Sequence, residues 1–345
     1  MPVLLSAGLA GDRPFAAHGR HRNESSWAFR QSDANCIEIG LVNNMSDSAL
    51  EATERQVLNL LNSAAEELLV RLRLYSLPDL PRTELGKRHM RRLNYFGTPD
   101  LWNTHLDGII ITGSEPRAPD LKKEPYWPVL TEVFEWAETH TASAIASCLA
   151  VHAAVLHMDG IERHPLDRKC FGIFEFANVS DHPIMNGVPT LLRVPHSRWN
   201  EVRERDLSSN GYVVLSRSER AGVDLFVKQR QSLLLFFQGH PEYEPWTLLR
   251  EYRRDVERFL DRERDTYPDM PTDYFDDATA HAFVRFRERA LNDRNSDLLE
   301  HFPSIPATEM AEPWRLPAIR IYGNWLRYLS AQKARRLEDF GLTAR

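Results

Sequence analysis

Apolar positions along the chain follow two alternating rhythms, and the alternation predicts strands separated by helices. "CIEIGLVNNM" (36–45) is an apolar run ending in polar turn residues, the mark of a buried strand. "ALEATERQVLNLLNSAAEELLVRLRLYSL" then carries apolar residues at helical spacing and closes on a second apolar run. "HLDGIIITGSEP" repeats the signature: Ile109, Ile110 and Ile111 form a strand that Thr112-Gly113-Ser114 breaks sharply. "PYWPVLTEVFEWAETH" predicts an amphipathic helix, "TASAIASC" a strand, and "LAVHAAVLHMDG" a helix closed by Gly160. Such alternation implies right-handed crossovers and a parallel sheet covered on both faces.

From about residue 165 the texture changes to short strands and turns ("KCFGIFEF", "PTLLRVPHSRWNEV", "GYVVLSRSE", "GVDLFVKQ"). These predict antiparallel additions before "LLLFFQGH" rejoins the sheet. "EPWTLLREYRRDVERFLDRERD" reads as a helix, followed by a polar, proline-dotted stretch to about 315. The expected organisation is a variable N-terminal extension (1–34), a catalytic α/β domain (35–265) and a helical C-terminal extension (266–345) packing on the same domain. No internal repeat is visible.

Composition narrows the class. At 345 residues and 42% hydrophobic, the chain can bury one large core. No apolar stretch approaches the ~20 residues that span a bilayer, and the N-terminal apolar patch is too short and poorly flanked for a signal peptide. A cytoplasmic protein with no membrane partner is expected. The three cysteines, Cys36, Cys148 and Cys170, are odd in number and widely spaced. That argues against a disulfide framework and against a multi-cysteine metal site, and no metal is expected. A formal net charge of -6 provides no footprint for nucleic acid. The charged runs "RRLNYF" and "EYRRDVERFLDRERD" read as solvated helix faces.

Cys148 stands where a strand turns into a helix, at a strand's carboxyl end, where doubly wound sheets collect their chemistry. A helix N-terminus favours a thiolate there, and Ala146, Ser147 and Ala150 are small enough for a tight turn. A buried structural cysteine is the other reading. "LLLFFQGHPEYEPW" places His240 and Glu242 just past another apolar strand. A nucleophilic thiol needs a base of near-neutral pKa, and that base needs a carboxylate to orient it. Cys148, His240 and Glu242 meet this requirement if the two strand ends are neighbours; a surface His-Pro turn is the alternative.

"DGIIITGSEP...PYW", "SCLAVHAAV", "KCFGIFEF", "DHPIMNGVP", "VPHSRWNEV" and "FFQGHPEYEPWTLLREYRRD" occur in the order and spacing of the homoserine O-acyltransferases of the succinyltransferase type, and the chain resembles that family over roughly residues 36 to 330. The resemblance implies a flavodoxin-like, three-layer parallel sheet of the class I glutamine amidotransferase type. It implies Cys148 as acyl-accepting nucleophile, His240 as general base and Glu242 as its orienter. It also implies that Arg254 grips the acceptor's carboxylate, with Lys169 and Ser197 near the same pocket. Arg254 as a helix-surface charge and Lys169 as a strand-edge lysine are the plainer readings. The implied reaction carries the acyl group of succinyl-CoA or acetyl-CoA, through a Cys148 thioester, to homoserine or a close analogue in methionine biosynthesis. The oxyanion falls to backbone N–H groups of Leu149 and the Gly113 loop. No permanently bound cofactor is implied, and the family habit suggests a homodimer.

Two departures stand out. The family usually has "NLMP" and two lysines after the first strand; here the chain reads "NNMSDSALEATERQ", without that lysine. Where "TGAP" is usually followed by Gly or Glu two residues on, "TGSEPRAP" has Arg117. A guanidinium there would read the distal carboxylate of a succinyl group, unless it pairs with Glu115, Asp120 or Glu124 and only shapes the loop. A glutaminase or another amidotransferase is the competing enzyme class, although its usual glycines around the elbow are Ala146 and Ala150 here. A non-catalytic binding module is disfavoured by the intact Cys148, His240 and Glu242.

Overall fold

The computed structural model describes residues 3–5, 36–305 and 310–339. Its strands, in chain order, are β1 (Val3–Leu5), β2 (Cys36–Val42), β3 (Leu69–Tyr75), β4 (Gly108–Ile111), β5 (Ser143–Ser147), β6 (His164–Asn178), β7 (Leu191–Glu201), β8 (Val213–Val214), β9 (Ser216–Ser218), β10 (Gly222–Val223), β11 (Leu225–Gln229) and β12 (Leu233–Phe237). The helices are α1 (Asp47–Ala64), α2 (Glu84–Arg92), α3 (Thr98–Trp102), α4 (Trp127–His140), α5 (Leu149–Asp159), α6 (Glu204–Ser208), α7 (Thr247–Leu260), α8 (Asp277–Asn292) and α9 (Arg315–Asp339).

Eight strands form the main sheet in the order β1-β3-β2-β4-β5-β12-β11-β8. Its five central strands, β3-β2-β4-β5-β12, pair in parallel. Renumbered among themselves they run 2-1-3-4-5, the flavodoxin-like order. β11 and β8 extend the sheet antiparallel, and β10-β9-β6-β7 make a separate antiparallel sheet, so the additions after residue 165 fall where the turn-rich texture places them. Val3–Leu5 pairs with β3, so three residues of the segment read as an extension sit at the sheet's edge. The rest of that segment, residues 1–2 and 6–34, lies outside the described residues.

Alternation along each central strand divides the core in two. Ile110 and Ile145 face α1 and α9, through Val57, Leu60, Trp325 and Leu329. Ile109, Ile111, Ala144 and Ala146 face α4 and α5. Helix on sheet on helix is therefore dictated by strands apolar on both faces. α5 is buried at every position from Leu149 to Leu156, which is why its sequence shows no polar stripe. α9 covers the opposite face from the far end of the chain, its Trp325 Nε1 donating to Ser143 Oγ at 2.9 Å and its Lys333 Nζ to Asp107 Oδ2 at 3.0 Å.

The stretch read as polar and proline-dotted contains α8. Its apolar stripe is narrow, with Phe283, Phe286 and Ala290 as its buried residues. They join α7 and Trp314 in a third core against Phe171 and Ile173 of β6. Thr272 is stitched to β6 by two backbone bonds at 2.8 and 2.9 Å. Gly172 admits it: a Cβ there would lie 2.3 Å from the Thr272 nitrogen. No helix among the described residues is long and apolar enough to cross a membrane.

Candidate active site

β5 and β12 are neighbours, with Ser147 opposite Phe237, so the two half-sites read from the sequence meet at the carboxyl edge of the sheet. Cys148 follows directly, and its N–H donates to Phe237 O at 2.8 Å. Its backbone is left-handed, φ 54° and ψ -119°, an uncommon conformation for a residue with a Cβ, whose cost is about 1–3 kcal/mol. The turn thrusts the thiol out of the sheet at the N-terminus of α5. Gly113, at the end of β4, packs on the same turn. A Cβ there would sit 2.7 Å from the Leu149 nitrogen, so only glycine lets the two proposed oxyanion donors lie side by side.

His240 and Glu242 lie in the turn after β12, both buried, with His240 Nδ1 2.9 Å from Glu242 Oε1. Burial alone would discharge the imidazole, but the Glu242 carboxylate and the Cys148 sulfur beside it hold its pKa well above the usual histidine value. Tyr243 stacks on the ring with centroids 4.1 Å apart. His152, one helical turn beyond Cys148, is the competing base. Burial drives its pKa down to about 3, and its Nε2 is 3.2 Å from Gln238 Oε1, so it remains a neutral structural imidazole.

This depression has a consequence for stability. Between the ordinary value of 6.5 and about 3, the unfolded chain protonates His152 while the folded chain does not. Its contribution is complete above pH 6.5 and is lost as pH falls toward 3. Denaturant midpoints at pH 7 and pH 5 should show a smaller acid loss for His152→Gln than for the wild type, the slope differing by up to about 1.4 kcal/mol per pH unit. Equal slopes would remove His152 from the acid sensitivity.

Cys148, Leu149, Gly113 and His240 line one cleft of about 210 Å³ together with Lys169, Ser197 and Arg254. Glu242 stands behind His240, off the cleft wall. Lys169 is no free strand-edge lysine: it sits at the β6 irregularity between Pro165 and Cys170, its Nζ 3.2 Å from Asp255 Oδ2 and 4.1 Å over the Phe171 ring. Arg254 donates from Nη2 to Asp255 Oδ1 at 3.0 Å and keeps a half-exposed guanidinium at the wall. Ser197 Oγ and Tyr243 Oη both donate to Glu251. Glu251 and Asp255 correct the reading of the charged run as a solvated face. They are one helical turn apart on α7 and turn inward, with Asp255 buried. The signal was their i, i+4 spacing beside Tyr252 and Val256; what hid it was the run of arginines around them.

Arg117 lies elsewhere. It is exposed, does not line the Cys148 cleft, and belongs to the wall of an adjoining one. Glu124 Oε1 accepts from the backbone N–H groups of Arg117 and Ala118, so that carboxylate shapes the loop without engaging the guanidinium. Cys36 is fully buried, and burial pushes the Cys170 thiol pKa up.

Together these features define a doubly wound α/β enzyme with a cysteine–histidine–glutamate group at the carboxyl edge of its sheet. The chain belongs to the homoserine O-succinyltransferase family, whose members are acyltransferases: the family's model matches residues 21–336. A homoserine O-succinyltransferase of Rhodopseudomonas palustris is 44% identical over 96% of this chain and 100% of its own length. Another, of Methylorubrum extorquens, is 44% identical over 86% of this chain and 88% of its own. Among solved structures, a glutamine amido transferase from Methylobacillus flagellatus aligns with 85% of this chain and 95% of its own at 15% identity and a TM-score of 0.47.

Proposed function

We propose that the protein transfers the succinyl group of succinyl-CoA to the hydroxyl of homoserine or a close analogue, by a ping-pong route through a Cys148 thioester, as a step of methionine biosynthesis. The observation that carries this reading is the strained Cys148 turn, set between the Leu149 and Gly113 amides and the His240–Glu242 pair. In the first half-reaction the thiolate adds to the donor's carbonyl carbon, and the oxyanion is held by backbone N–H groups. The C–S bond to coenzyme A breaks, and His240 gives the departing thiolate the proton it took from the Cys148 thiol. In the second, His240 takes the acceptor's hydroxyl proton as the oxygen attacks the same carbonyl, and the Cys148 thiolate leaves. Arg254 grips the acceptor's carboxylate, with Lys169 and Ser197 beside it, and Glu251 and Asp255 hold these side chains in position.

Incubation with succinyl-CoA or acetyl-CoA plus homoserine, and separately with glutamine, tests the reading. Release of free coenzyme A with the O-acyl ester supports it; ammonia from glutamine without coenzyme A release would replace it with an amidotransferase.

Arg117 belongs to the same proposal. It follows Pro116, which lines both clefts, and among the described residues its guanidinium makes no ion pair. Its side chain is thereby available to a succinyl carboxylate, a charged hydrogen bond worth about 1.5–3 kcal/mol. Arg117→Ala should lower kcat/KM for succinyl-CoA by about tenfold to a hundredfold and leave acetyl-CoA nearly unaffected. An equal loss for both donors, or a wild type that prefers acetyl-CoA, would reduce Arg117 to a loop residue.

A further inference from the structure

Tyr243 touches the base on one side and the acceptor pocket on the other. Its ring lies on that of His240, with centroids 4.1 Å and planes 15° apart. Its hydroxyl donates at 2.6 Å to Glu251 Oε1. The other oxygen of that carboxylate accepts from Ser197 Oγ and lies 3.8 Å from Lys169 Nζ. The backbone is anchored too: the Tyr243 N–H donates to His240 O at 3.2 Å, and the Tyr243 carbonyl accepts from Nε1 of the buried Trp314 at 2.8 Å. Held at both ends, the ring is a fixed shelf for the imidazole.

His240 has a use for such a shelf. Its contact with Glu242 fixes Nδ1 but leaves the ring free to swing about that bond, and a stacked neighbour removes the swing. A ring that only filled the core beside Phe171 would need no hydroxyl. Burial and the Glu251 carboxylate push the phenol pKa well above its usual 10, so the group stays a donor and does not act as a base. The two half-reactions then make different demands. During acylation the base works with Cys148, its neighbour across the strand ends. During discharge it must meet a hydroxyl whose place is set by Lys169, Ser197 and Arg254. Base and acceptor pocket must therefore keep register with one another, and a misplacement of about 1 Å costs up to about a hundredfold in rate.

We propose that Tyr243 is a positioning residue that keeps this register, tying the His240 ring to the carboxylate that orders Ser197 and Lys169; the assignment rests on the ping-pong reading above. The test follows each half-reaction by itself in rapid mixing: release of coenzyme A from succinyl-CoA without acceptor, then discharge of the acyl-enzyme at saturating homoserine. Tyr243→Phe keeps the stacked ring and removes the tie. It should slow saturated discharge about tenfold more than acylation, the scale of one lost hydrogen bond to a charged group. Glu251→Ala cuts the same tie from the other end and should show the same split, because damage to acceptor binding falls on the half-saturating homoserine concentration and not on the saturated rate. Adding Tyr243→Phe to Glu251→Ala should widen the split no further. Either single variant decides the matter if the other does not fold. Equal slowing of both half-reactions, or a loss confined to the half-saturating concentration, would overturn the tie and leave the transferase reading intact. If the wild type forms no acyl-enzyme from succinyl-CoA or acetyl-CoA, the ping-pong reading falls and the tie with it.

Discussion

Cys148→Ala should lose transfer activity by at least about 10⁴-fold, because removing the nucleophile deletes the covalent route and leaves only binding and oxyanion contacts. On the proposed ping-pong route the first half-reaction needs no acceptor. Intact-mass spectrometry of the wild type mixed with succinyl-CoA alone should therefore show one acyl group, and peptide mapping should place it on Cys148. The other thiols are poor competitors, Cys36 being fully buried and Cys170 held as a thiol by its surroundings. An adduct on either, or a Cys148→Ala variant that retains activity, would refute the assignment.

His240→Asn should lower kcat by about 10² to 10⁴, the usual contribution of a positioned acid–base group. Asparagine keeps a polar side chain of similar reach but can neither store nor return the proton. Glu242→Ala should be milder and should carry a pH signature. Glu242 helps hold the His240 pKa above its usual value, so its removal lets that pKa fall. On the proposed route the donor reacts while His240 is protonated, a form lost as pH rises through the His240 pKa. The alkaline limb of kcat/KM for the donor should thus move to lower pH in Glu242→Ala. A limb that stays in place, or moves up, would show that Glu242 does not set the charge of His240.

Much of the fold was legible because its signals are local. Central strands of a covered parallel sheet are short runs of apolar residues, and Ile109, Ile110 and Ile111 say so without reference to anything distant. Cys148 and His240 could each be placed at a strand end for the same reason. Lys169, Ser197 and Arg254 were placed by family resemblance, and the structure adds the carboxylates that hold them. α8 was not placed within the expected helical extension, because its buried stripe is only Phe283, Phe286 and Ala290 in sixteen residues, too thin to stand out.

By itself the sequence determined the alternation of strands and helices, the sharp turn at Cys148 and the candidate acid–base pair, since each depends on residues within a few positions of one another. Only the tertiary structure decided that β12 lies beside β5, which brings His240 to a cysteine 92 positions away, from 148 to 240. It alone decided that α9 closes the sheet's second face, that burial lowers the His152 pKa while Glu242 and Cys148 raise that of His240, and that Glu251 and Asp255 turn inward. Strand order, burial and the local field arise from contacts between distant segments, and a pattern of period two or 3.6 records which face a residue takes, not what that face will meet.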